Sequence, residues 1–351
     1  MTATNLERSG IEQSSGIDHR RAPLLEGILA YHDLGIVPFS TPGHKLGVGA
    51  DSALRDTFGD AALRCDIPLG GGIGDTHFGG EVLRVAEAMA ADAWGAERSF
   101  FLLNGSSAGN HAFMLATIRP GDTVIVARDL HKSLLVSLIL TGAVPVYVAP
   151  RLHPELNVGL GITPGQIADA LDRHPDAKLV ALVSPSYSGV ASDLAGIVAV
   201  AHARGVPVHV DEAWGPHLHF HPALPRSAMA SGADGAVVST HKVLGSLTQA
   251  AILHVRGGLV DPDKVRYLGT GRWDDKSLRR VARKPTSEHR PLRDFPMPHT
   301  LDPHSPRSEH QHHVYRTNSI PWYVRVMWIG FWIFTVYYTV EYLFPNLQKE
   351  V

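Results

Sequence analysis

The stretch "VVSTHKVLGSLTQAA" (residues 237–251) joins an apolar, β-branched run to His241 and Lys242, then continues through Gly, Ser and Thr. Burying a free ammonium is expensive, so a lysine in this apolar setting is paired, neutral or covalently used. Read as the end of a buried strand, the segment puts Lys242 at a strand's carboxyl end. Similar runs lie on either side. "LVALVSP" (179–185), "VPVHVDEA" (206–213), "GAVVST" (235–240), "TVIVAR" (123–128) and "VPVYVA" (144–149) are short apolar stretches of the kind buried on both faces of a sheet. Helical patterns separate them. "GEVLRVAEAMAADAWGA" (80–96) gathers Val82, Val85, Met89, Ala93 and Trp94 near one face, and "DLAGIVAVAHARG" (193–205) opens on an Asp cap and closes at Gly205. The alternation predicts an α/β domain with a mostly parallel sheet flanked by helices, and sites at the carboxyl ends of its strands.

Four segments place chemistry at such ends. In "FFLLNGSSAGNHAFMLA" (100–116) an apolar run meets Asn104, Gly105, Ser106 and Ser107 and then a helical pattern. A helix start with free N–H groups and two hydroxyls suits phosphate, and equally an ordinary N-cap. "VARDLHKS" (126–133) sets His131 just after a strand. "VHVDEAWG" (208–215) ends a strand on Asp211, a capping residue when read alone, with the small Ala213 two positions on. Lys242 follows Ser239 and His241 at the end of the next strand, 31 residues downstream of Asp211. Together the four fit pyridoxal phosphate: an Asp for a pyridinium proton, a Lys for a Schiff base, a Gly-Ser-Ser helix start for phosphate and an aromatic to stack on the ring.

The chain resembles the fold-type I Orn/Lys/Arg decarboxylases, particularly the short bacterial arginine and lysine decarboxylases. "VVSTHKVLGSLTQAA" is similar to their cofactor-attachment signature. "TPGHKLG" (41–47), "RDLHKS", "SPSYSGVASDL" (184–194) and "DEAWGPHLHFH" (211–221) are similar to family segments in the same order, over residues 22–266. The resemblance implies a fold-type I large domain at 22–266 and these roles. Lys242 holds the cofactor covalently, and Asp211 keeps the pyridine nitrogen protonated. His131 stacks on one ring face and Ala213 packs on the other. Ser106, Ser107 and Ser239 bind the phosphate. His241 handles protons at the substrate α-carbon, and Trp214, where several relatives have His, contacts the ring hydroxyl. His44 of "TPGH" serves the site or the local structure. The implied reaction is decarboxylation of arginine, lysine or ornithine by a homodimer or higher homo-oligomer. An aminotransferase or lyase would share Lys242 and Asp211.

Past residue 266 the family's continuation and its small C-terminal domain are replaced by "RYLGTGRWDDKSLRR". Residues 267–319 form a Pro-, Arg- and His-rich linker; six prolines and ten Lys or Arg against six Asp or Glu in 270–319 leave little to bury. "IPWYVRVMWIGFWIFTVYYTVEYLF" (320–344) is almost wholly apolar and close to the ~20 residues a membrane helix needs. Arg307, Arg316 and Arg325 precede most of it and only Lys349 follows, which favours a cytoplasmic N-terminal domain tethered to the inner membrane by residues 320–345. The polar arm 1–21 lacks a secretory h-region, and 346–351 is a short polar tail. Losing the family's C-terminal part also allows a second expectation, an inactive, membrane-tethered domain.

Bulk properties exclude other classes. The 351 residues hold ample core, and the formal net charge of −2 argues against a nucleic-acid partner. A single cysteine, Cys65, precludes an intrachain disulfide. The 21 histidines are scattered with no pair at a metal-ligand spacing, so no metal site is read. "LGGGIGDTHFGG" (69–80) fits neither a dinucleotide fingerprint nor a P-loop; we read it as a loop near the mouth of the site.

Overall fold

The computed structural model describes residues 17–35, 37–39, 41–67 and 81–270. The glycine-rich stretch 69–80, the linker beyond residue 270 and the expected membrane segment 320–345 lie outside them. Among the described residues no helix is long and apolar enough to cross a membrane.

Helices α1 (Pro23–Asp33), α2 (Ser52–Phe58) and α3 (Asp60–Cys65) precede the sheet domain. There α4 (Glu81–Trp94) leads into β1 (Arg98–Leu102), α5 (Gly105–Thr117), β2 (Thr123–Ala127), α6 (Lys132–Thr141), β3 (Val144–Val148) and α7 (Pro164–Arg173). Then follow β4 (Leu179–Val183), α8 (Leu194–His202), β5 (Val208–Asp211), β6 (Gly235–Val238), α9 (Thr240–Val243), β7 (Ala251–Val255) and α10 (Pro262–Thr270). The helix read at 193–205 is capped as expected, with the Asp193 carboxylate accepting from Gly196 N–H, but ends at His202.

The strands form one seven-stranded sheet in the order β1-β7-β6-β5-β4-β2-β3. Strands β6, β5, β4, β2 and β3 are mutually parallel, and β7 runs antiparallel to both its neighbours. The mostly parallel sheet expected from the sequence is thus a mixed one in which β7 alone runs against the other strands. Two antiparallel steps restore direction, so β1 points the same way as β6, and the carboxyl ends of six strands share one edge.

Side chains alternate across the sheet with period two. Ile125, Val180, Leu182, Val208 and Val210 pack toward Ile167, Leu171, Leu194 and Ile197 of α7 and α8. Val124, Val126, Leu179, Ala181 and Val237 pack toward Phe113, Met114, Leu134 and Leu138 of α5 and α6. In β5 this second face carries no aliphatic residue: His209 and Asp211 take its two positions and both are buried.

That exception is accommodated by Gly235, which pairs with His209 across β5 and β6. A Cβ at Gly235 would lie 2.2 Å from Phe113 Cε2, and the Phe113 ring stacks on His209 with centroids 4.2 Å apart and planes 14° from parallel. Neither ring can retreat from a fully buried position. Gly235→Ala should therefore lower stability by at least the ~1–3 kcal/mol typical of overpacking. Urea denaturation, with Gly165→Ala as the uncrowded control, reads it; equal midpoints for the two variants would contradict the packing argument.

Candidate active site

Every strand-end residue singled out from the sequence follows a strand at the shared carboxyl edge. Gly105 turns the chain from β1 into α5 at φ +69°, a left-handed conformation that glycine adopts without penalty, and a Cβ there would meet open space. Its N–H donates to Gln249 C=O at 2.9 Å, tying this turn to the segment after α9. The Asn104 side chain does not cap α5. Ser106 is buried and Ser107 half-buried in the first turn. Ser239 precedes α9 and its Oγ is fully buried with no protein partner. An unpaired buried hydroxyl costs about 1–3 kcal/mol, which a phosphate oxygen would relieve. Three hydroxyls and an uncapped helix start thus fit the phosphate of a cofactor.

Asp211 closes β5. Its Oδ2 accepts from Asn110 Nδ2 at 2.7 Å and its Oδ1 from Ala213 N–H at 3.2 Å. Burial raises its pKa; the Asn110 hydrogen bond, His131, the Ala213 N–H and Lys242 act in the opposite direction. The net direction is upward, burial being the largest influence, while the two donors and the two charge partners work toward the carboxylate that a pyridinium nitrogen requires. Ala213 is buried beside it.

His131 is the N-cap of α6, where Nδ1 accepts from Ser133 N–H at 3.2 Å and lies 2.8 Å from Ser133 Oγ. A backbone N–H can only donate, so Nδ1 acts as the acceptor and the ring's proton sits on Nε2. His241 shows the opposite arrangement: Nδ1 donates to Ala250 C=O at 2.8 Å, leaving Nε2 as the basic nitrogen. Lys242 lies in a one-turn helix just beyond the strand end expected for it, because the chain bends into α9 directly after Ser239. Its Nζ sits 4.7 Å from the centroid of the Trp214 ring, and Trp214 in turn meets the exposed Tyr187 edge-to-face at 6.2 Å. His44 caps the short turn Lys45–Gly47, accepting from Gly47 N–H, and pairs with Asp66 at 3.0 Å. Both contacts are local.

The sequence reading missed Asn110, Ser133 and His209. His209 Nε2 lies 2.8 Å from Asn110 Oδ1, and Asn110 Nδ2 lies 2.8 Å from Ser133 Oγ as well as against Asp211. A signal existed in "VHVD": strand alternation puts His209 and Asp211 on one face, and Asn110 is a polar residue on the apolar stripe of its helix. Among the described residues no group of His, Cys, Asp or Glu is arranged to hold a metal.

A lysine just past a strand end, a buried strand-end carboxylate and a hydroxyl-rich helix start on an α/β sheet are the set of groups that pyridoxal phosphate requires. The family model "Orn/Lys/Arg decarboxylase, major domain" matches residues 22–268, and the chain belongs to that family. It is 43% identical to an arginine decarboxylase of Halalkalibacterium halodurans over 71% of this chain and 50% of the relative. It is 41% identical to an arginine decarboxylase of Bacillus subtilis over 72% of this chain and 51% of the relative. Among solved structures, the constitutive lysine decarboxylase of E. coli superimposes with a TM-score of 0.62 at 27% identity, covering 74% of this chain and 39% of that one. The chain spans about half the length of the curated relatives it matches. Family membership implies pyridoxal phosphate, and the unpaired Ser239 hydroxyl with the buried, donor-surrounded Asp211 fits it.

Proposed function

We propose that this chain decarboxylates a basic amino acid with pyridoxal phosphate, arginine first, releasing CO2 and the corresponding amine. The observation that most supports this is the arrangement of Asp211, His131 and Lys242 at one sheet edge, with Asp211 electrostatically coupled to both others. Arginine is favoured by the arginine decarboxylases at 41–43% identity. Bound there, pyridoxal phosphate supplies an electron sink for the pair left when the Cα–carboxylate bond breaks.

The chain's own residues do the rest. Lys242 holds the cofactor covalently, and Asp211 keeps the ring nitrogen protonated. Ser106, Ser107 and Ser239 bind the phosphate oxygens, while His131 and Ala213 enclose the ring and limit water. Trp214 stands beside Lys242 as a wall of the substrate side. His241, fixed through Nδ1 to Ala250, would take a solvent proton on Nε2 and pass it to the α-carbon in place of the carboxylate. A homo-oligomer belongs to the same proposal, supported by exposed apolar residues on α6 such as Ile139 and Leu140. So do the domain limits 22–266 and tethering to the inner membrane through 320–345, the latter supported by that segment's composition alone.

The test is a product assay. The purified chain, supplied with pyridoxal phosphate and equal arginine, lysine and ornithine, is expected to release CO2 and one principal amine, agmatine. Cadaverine or putrescine instead would keep the reaction and change the substrate. A keto acid without CO2 would establish an aminotransferase. Folded, cofactor-loaded chain that forms neither product would leave the inactive-domain reading.

A further inference from the structure

We propose that Asn110 is a positioning residue which, oriented by His209, holds both Asp211 and His131 in the arrangement the cofactor ring requires. This rests on the reading of the site given above.

The argument is one of donors and acceptors. An amide side chain has one acceptor and two donors, and its orientation follows from its partners. The Asp211 carboxylate only accepts, so Asn110 turns its NH2 toward Asp211 Oδ2, 2.7 Å away. The second N–H of that group reaches Ser133 Oγ at 2.8 Å. Asn110 Oδ1 then faces His209 Nε2 at 2.8 Å, which must carry a proton. His209 is fully buried against Phe113, and burial lowers its pKa to about 3, so the ring is neutral and has a single proton to place. Its Nδ1 makes no hydrogen bond of ordinary geometry; the Gly235 backbone beside the ring acts against burial as the lesser influence.

On the other branch, Ser133 Oγ accepts from Asn110 and has its own proton left for His131 Nδ1 at 2.8 Å, the nitrogen already shown to be bare. Every step therefore runs from donor to acceptor: His209 to Asn110 to Asp211, and Asn110 to Ser133 to His131. One fully buried amide links the residue assigned to the ring nitrogen with the residue assigned to the ring face. The titratable groups facing Asp211 are His131, at the start of α6, and Lys242, on α9; the neutral donors are Asn110, from α5, and the Ala213 N–H. Removing Asn110 takes away the strongest influence opposing burial at Asp211 and the donor that directs the Ser133 hydroxyl proton toward His131.

Two readouts test this. In the cofactor-free chain, 15N-histidine correlation spectra, assigned with His131→Phe and His209→Phe, are expected to place the proton of each ring on Nε2 with Nδ1 bare. In the cofactor-loaded chain, Asn110→Leu is expected to weaken pyridoxal phosphate binding by about tenfold or more, the loss of a hydrogen bond to a charged group, and to shift the pH midpoint of the bound cofactor's visible band. His209→Phe, which keeps the stacked ring but not the donor, should move that midpoint in the same direction, and His209→Gln, which keeps a donor, should restore it. A proton on Nδ1 of either histidine overturns the proposal. So does an unmoved midpoint and affinity in Asn110→Leu with only a lower Tm, the signature of a packing role. A parent chain with no Lys242-dependent band overturns the reading of the site, and the positioning role with it, whatever the tautomers.

Discussion

Lys242→Ala is expected to abolish covalent retention of pyridoxal phosphate and, with it, amine production, while leaving the fold unchanged. Borohydride reduction of the loaded parent chain should fix the cofactor's mass on the peptide containing Lys242; in the variant no peptide should gain it, and the visible band should be absent. Turnover should drop by three or more orders of magnitude, since covalent attachment and its exchange for substrate organise every later step. The stability cost should be small. Lys242 is half-buried and its ammonium lies over the Trp214 face at 4.7 Å, a cation–π interaction worth about 0.5–1 kcal/mol at such exposure. A large loss of Tm would mean that the lysine is structural. A borohydride-fixed label on another lysine would mean that the attachment site is misassigned.

The strand-end logic behind that prediction was legible in the chain because it depends on local order. β2, β3, β4, β5 and β6 read as apolar runs, and each functional residue follows its strand by only a few positions. Strand β7 was not legible. "AILHV" follows "SLTQA" without a helical segment between, and only its antiparallel pairing with β6 and β1 gives that run a place in the sheet. Lys242 was placed at the strand's end instead of in the turn of helix beyond it, since a four-residue helix leaves no periodic signal. Asn110, Ser133 and His209 escaped for another reason. They lie 23 and 99 residues apart in the pairs they form, and no local pattern joins residues whose contact exists only once α5, α6 and β5 have packed. A buried polar network is a property of tertiary structure, and here it sits directly behind Asp211, which its place at a strand end did disclose.

The second large effect concerns Glu212, beside Asp211 in sequence but on the other face of the sheet. It is 1% exposed, accepts from Ala228 N–H at 2.8 Å, and burial pushes its pKa from 4.5 up to about 8. At neutral pH it is a neutral carboxyl. A folded-state pKa above the unfolded value contributes stability that is fully present below the unfolded pKa and is lost as pH rises through the folded one. Glu212 therefore destabilises the fold progressively between about pH 4.5 and pH 8. His209 and His254 have the opposite sign. Burial lowers both from 6.5 to about 3, so what they contribute is present above pH 6.5 and disappears as pH falls toward 3. Asp211, raised by burial, acts with Glu212; His111 and His219, lowered by burial, act with the deeper histidines. The contribution of Glu212 is isolated by difference. Glu212→Gln keeps an acceptor for Ala228 and cannot ionise, so the stability of the parent minus that of the variant should be flat below pH 4.5. It should then fall by about 1.4 kcal/mol per pH unit to pH 8, and level off again. Accumulated over that window the change reaches several kcal/mol, comparable to the whole stability of many domains, so above pH 8 the variant should outlast the parent in urea. A difference curve with no slope between pH 5 and pH 8 would mean that Glu212 is ionised in the folded chain, with the Ala228 N–H donating to a carboxylate.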